Sequence, residues 1–78
     1  MNFTIYTKRG CPSCDKIKRV MSLKQFNYIT YELGEDFTRA EFYEMFGQHT
    51  TFPQVLIGDH NLGGCSETIA YLRENSLI

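Results

Sequence analysis

Cys11-Pro12-Ser13-Cys14 constrains this chain more than any other stretch, because of what stands on either side of it. Before it, Phe3-Thr4-Ile5-Tyr6-Thr7 places Phe3 and Ile5 on one side and Thr4 and Tyr6 on the other, the pattern of a strand. Lys8-Arg9-Gly10 makes a turn, and Pro12 fits the first position of a helix, where its missing N–H costs nothing. Two cysteines in this spacing at a strand-to-helix junction are the sequence form of a thiol–disulfide redox site. Residues i and i+3 of a helix share a face, so the two sulfurs can meet with little backbone movement. Unpaired N–H groups and the helix dipole favour a negative sulfur at Cys11, and Cys14, one turn further in, is the more covered. Cys11 is therefore expected to attack and Cys14 to resolve, with Lys8 adding positive charge nearby.

Composition narrows the setting. Three cysteines are an odd number, which disfavours a purely structural disulfide framework. With no basic-then-apolar leader at the N-terminus, a reducing cytoplasm is expected, where disulfides are catalytic or transient. The 78 residues make a single domain, 1–78, near the lower limit for an unstapled core. A net charge of −1 with interspersed signs gives no support for a nucleic-acid surface, and no apolar run suits a membrane span. A monomer is expected. The competing reading of Cys-x-x-Cys is half a zinc site, but only Cys65, His49 and His60 remain as ligands and none forms a second close pair. No metal is expected.

Apolar Ile17, Val20, Met21 and then Phe26 recur at helical spacing, which predicts an amphipathic helix from Pro12 to roughly Gln25. Tyr28 to Leu33 is aromatic and β-branched and reads as a second strand, parallel to the first across a right-handed crossover. Thr38-Arg39-Ala40-Glu41 fits a capping box opening a short helix through Phe42, Met45 and Phe46, ended by Gly47. Gln54 to Ile57 and His60 to Leu62 predict a hairpin about Gly58-Asp59. Ser66 is the expected N-cap of a last helix with Ile69, Ala70 and Leu72 inward. The order β-α-β-α-β-β-α describes an α/β fold: a four-stranded mixed sheet with helices on both faces.

Two further stretches carry chemistry. Thr51-Phe52-Pro53 marks either an edge strand or a cis-proline turn offering the backbone of Phe52 to a peptide-like ligand. Gly63-Gly64-Cys65-Ser66-Glu67 ends a hairpin and caps a helix. It also has the make-up of an anion site, with close backbone approach at the glycines and N–H groups at the helix start. His49 and His60 read as exposed polar residues.

Taken in order, Ile5-Tyr6-Thr7-Lys8 with Cys11-Pro12-Ser13-Cys14, Thr51-Phe52-Pro53-Gln54 and Gly63-Gly64-Cys65-Ser66 resemble the glutaredoxins of the thioredoxin superfamily. The resemblance spans nearly the whole chain and implies a thioredoxin-like fold, a cis Pro53 and glutathione as the reductant. It implies Cys11 as nucleophile and Cys14 as resolving thiol, with Lys8 and Ser13 flanking a glutathione groove. Thr51, Phe52 and Pro53 would pair with the cysteinyl unit of glutathione, and Gly64, Cys65 and Ser66 would receive its γ-glutamyl carboxylate. Protein disulfides are the implied substrates, ribonucleotide reductase among them. Three positions depart from the family: Ser13 stands for the usual tyrosine, Phe52 for valine and Glu67 for aspartate. Two other activities fit the same motifs. One is a redoxin recharged by thioredoxin reductase. The other is a [2Fe–2S] carrier held by Cys11 and glutathione, against which Pro12 argues by stiffening the turn.

Overall fold

The computed structural model describes residues 2–78, with elements β1 (Asn2–Thr7), α1 (Pro12–Leu23), β2 (Asn27–Glu32), α2 (Arg39–Phe46), β3 (Gln54–Ile57), β4 (His60–Gly63) and α3 (Cys65–Glu74). The strands form one sheet in the order β2-β1-β3-β4. β1 pairs with β2 in parallel, Phe3 opposite Tyr28 and Tyr6 opposite Tyr31. It pairs with β3 antiparallel, Ile5 opposite Val55 and Tyr6 opposite Gln54. The mixed sheet and the element order are those expected.

The alternation of β1 decides the layers. Phe3 and Ile5 point to one face, where they join Ile17 and Met21 of α1, Val55 of β3 and Leu72 of α3 in a closed apolar core. Tyr6 points to the other face, toward α2, and its ring lies 5.0 Å from Phe46 and 5.2 Å from Phe37. α2 thus meets the sheet through aromatic rings, and its start is fixed by the expected capping box: Thr38 Oγ1 accepts from Glu41 N, and Glu41 Oε1 from Thr38 N.

The strand bounds shift by one residue in β2 and β4, and two helix ends fall elsewhere than the sequence suggests. α1 stops at Leu23 rather than near Gln25, because Gln25 takes a left-handed conformation with φ 59°. α3 begins at Cys65 with Gly64, not Ser66, as its N-cap. The cause is Glu67, whose Oε1 accepts from Gly64 N at 2.8 Å and so caps the helix one turn back. No helix among the described residues is long and apolar enough to cross a membrane.

Candidate active site

β1 delivers the chain to the end of the sheet, and Gly10, at φ 66°, turns it back into α1. Cys11 is the N-cap residue: its backbone is extended, and its Sγ accepts the Cys14 N–H at 3.1 Å. The sulfur therefore does the work usually given to a serine or aspartate oxygen at that position. Cys14 lies one turn inside the helix, and the two are joined as a disulfide with their Cα atoms 5.2 Å apart. Cys14 is wholly buried, whereas Cys11 retains 6% exposure. The order of cover matches expectation, although Cys11 is more enclosed than a helix-end residue needs to be. Ser13, between them, is exposed.

The antiparallel register brings the entry of β3 to the same end of the sheet as the exit of β1. The Phe52–Pro53 bond is cis, and Pro53 is fully buried while Thr51 is exposed. Gln54 pins this entry: its side-chain N–H donates to Thr51 O at 3.0 Å, and its Oε1 accepts from Asn61 of β4 at 3.3 Å. In the sequence Gln54 reads as the first residue of a strand and the last of the Thr51-Phe52-Pro53-Gln54 motif, with no role of its own. Its polarity inside an otherwise apolar strand was the available signal.

Phe52 is not a passive replacement for a smaller residue. Its ring lies 4.1 Å from that of Phe42 and 10° from parallel, and 6.1 Å from that of Phe37. The Lys8 ammonium sits 5.4 Å from the centre of the same ring, a cation–π contact. Lys8 and Phe52, expected in one groove, are thus brought together.

Gly63-Gly64 closes the third side. A Cβ on Gly64 would stand 3.0 Å from Glu67 Oε1 and 3.5 Å from Pro53 O, so the hairpin exit lies against the β3 entry and a side chain at Gly64 would press on the Glu67 carboxylate that caps α3. Cys65 is a free, half-buried thiol, and Ser66 is exposed at the first turn of α3. Burial pushes the Cys65 thiol up, Lys16 pulls it down and Glu67 adds a smaller upward push. Glu67, an uncertain neighbour in the sequence, emerges as the residue that fixes this corner. No group of three or more metal-ligating side chains converges among the described residues.

The arrangement places Cys11 at a helix start above a wholly buried Cys14, with Thr51 and Ser66 exposed on the adjoining segments. The sequence and the fold are similar to those of known proteins. The family model described as glutaredoxin matches residues 3–62. Glutaredoxin 3 of Escherichia coli (strain K12) is 37% identical over 71 residues, covering 88% of this chain and 83% of that protein. The hybrid peroxiredoxin hyPrx5 of Haemophilus influenzae is 36% identical over 70 residues, which is 90% of this chain but 29% of that one. Among solved structures, a buckwheat glutaredoxin–glutathione complex superposes with a TM-score of 0.80 at 26% identity, covering 96% of this chain and 71% of that one. The sulfur pair at the start of α1 therefore sits in a thioredoxin-like frame, and the chain belongs to the glutaredoxin family of thiol–disulfide oxidoreductases.

Proposed function

We propose that the chain reduces protein disulfides and glutathione mixed disulfides, with Cys11 as nucleophile, Cys14 as resolving thiol and glutathione as the source of electrons. The observation that carries this reading is the unequal cover of the two sulfurs, Cys11 at the helix N-cap and Cys14 wholly buried beneath it. A negative sulfur at Cys11 is favoured by the N–H of Cys14 already directed at it and by the helix dipole.

The Cys11 thiolate attacks one sulfur of a substrate disulfide, forming a mixed disulfide and releasing the other sulfur as a thiolate that takes up a proton. Cys14 gives up its proton and attacks the Cys11 sulfur, closing the internal disulfide and releasing the second substrate thiol. Two electrons have passed from the dithiol to the substrate. Two glutathione molecules return them and leave as glutathione disulfide.

Glutathione is assigned to a groove along Lys8, Ser13, Thr51, Phe52, Pro53, Gly64, Cys65 and Ser66. Support comes from the convergence of their three segments and from the buckwheat complex, whose glutaredoxin binds glutathione. Lys8, held over Phe52, supplies a cation at one end, and the start of α3 supplies N–H groups at the other. The Gly64 N–H is engaged by Glu67, so Cys65 and Ser66 carry the carboxylate. A cytoplasmic setting and ribonucleotide reductase as one protein substrate belong to the same proposal.

The test is turnover of a small glutathione mixed disulfide coupled to glutathione reductase, in wild type, Cys11→Ser and Cys14→Ser. Activity is expected to vanish in Cys11→Ser and to persist in Cys14→Ser, while protein disulfide reduction needs both cysteines. Turnover supported by thioredoxin reductase but not by glutathione would overturn the assigned electron source. Activity surviving in Cys11→Ser would overturn the nucleophile.

A further inference from the structure

The sheet face that carries α2 is only partly covered. By alternation and register, Thr4, Tyr6, Ile29, Tyr31 and Leu56 share that face. α2 has 8 residues, so it is about 12 Å long, and it reaches the sheet at the Tyr6 end through Phe46 and the adjoining Phe37. Beyond it, Ile29 is 54% exposed and Tyr31 38%, and Met45 on the flank of α2 is 51% exposed. An edge strand that buried its alternating residues would not leave such side chains in water.

A groove of about 440 Å³ with a cationic rim lies between α1 and α3, and a larger one of about 590 Å³ lies between α2 and β2. The larger has Tyr6, Tyr31 and Phe37 along its floor and Asp36, Glu41 and Glu44 around it, with no lysine or arginine lining it. Asp36 accepts from Glu32 N and Glu41 from Thr38 N, which leaves each carboxylate spare lone pairs. Glu44 has no hydrogen bond or ion pair among the described residues. Aromatic faces beneath a carboxylate rim suit a cation on an apolar stem, arginine above all, because a guanidinium stacks on a ring and pairs in the plane with a carboxylate.

The groove does not reach the sulfur pair itself, but two links tie it to that end of the sheet. Tyr6 belongs to the strand that runs into Cys11, and Phe37 stacks on Phe52 of the loop entering β3. We infer that this groove docks the residues flanking a substrate protein's disulfide, a basic segment with arginine or lysine next to an apolar side chain. The inference rests on Cys11 as the attacking sulfur and adds a substrate preference to it. Cations at the α1/α3 groove (Lys16, Lys24 and Arg73) would repel the same segment there.

The experiment compares peptide disulfides that differ only in flanking charge (arginine-flanked, neutral and aspartate-flanked), beside a small glutathione mixed disulfide. Wild type is expected to show kcat/KM about tenfold higher for the basic than for the acidic peptide, the ratio shrinking as salt rises. Glu44→Lys should bring the ratio to within about twofold, with the small mixed disulfide turned over as before. A thiol-free arginine peptide should bind wild type and perturb the NMR signals of Tyr6 and Tyr31, whatever the fate of the redox assay. Equal rates on all three peptides, a preference that survives Glu44→Lys, or absence of that binding overturns the inference. Loss of small-disulfide turnover in wild type would instead overturn the glutathione reading.

Discussion

The rings of Phe42 and Phe52 lie 4.1 Å apart and 10° from parallel, tying α2 to the loop that enters β3. Phe42 is fully buried and also touches Phe37 and Phe46, so it is the hub of the aromatic layer on that face. Phe42→Ala should cost about 3–5 kcal/mol in urea unfolding, the range for removing a buried aromatic ring. It should also loosen Phe52, and with it the cation–π seat of Lys8. A cost below about 1 kcal/mol would mean that α2 is held by something other than this stack.

Thr68 is fully buried on the inner side of α3, and its hydroxyl finds no hydrogen-bond partner among the described residues. A buried hydroxyl without a partner costs about 1–3 kcal/mol of lost hydration. Thr68→Val keeps the shape and the β-branch and removes the stranded oxygen. It is expected to stabilise the fold by about 1 kcal/mol, read as a higher denaturation midpoint at unchanged slope. A loss of stability would reveal a partner for that oxygen, such as a bound water.

Cys65 provides a pH signature. Burial holds its thiol above the ordinary value of 9.0, against the pull of Lys16. The folded state thus favours the neutral thiol, and that contribution is fully present below the unfolded-state pKa. It fades as pH rises through the higher folded-state value, so the window opens at about 9 and extends upward. In a Cys11→Ser, Cys14→Ser protein, where Cys65 is the remaining thiol, iodoacetamide modification should keep accelerating above pH 9 and approach its plateau later than a cysteine peptide does. A plateau at or below the peptide's would contradict the effect of burial.

Much of this was legible in the sequence, for reasons that differ by residue. The strand, turn and Pro12 around Cys11 announce their conformations locally, so the redox pair and its placement at a helix start could be read directly. The Thr38–Glu41 capping box is equally local and formed as written. The start of α3 was not, because Ser66 is a good cap by type, while Glu67 reaches back to Gly64 and moves the boundary. The role of Phe52 was also hidden. Its partners Phe37 and Phe42 come from another part of the chain and meet it only through tertiary packing. The exposure of Ile29 and Tyr31 has the same origin, since α2 turned out too short to roof that side of the sheet.

The internal disulfide spans a sequence separation of 3 and lies within the opening turn of α1. It ties no strand to another and closes the smallest of loops, the kind that restricts the unfolded chain least. No residue of the sheet, α2 or α3 lies within the loop it closes. The disulfide is therefore like a clip set within one turn of one helix. Each two-electron cycle makes or breaks a bond inside that turn alone, and the strands and helices are held to one another by packing with no covalent tie between them.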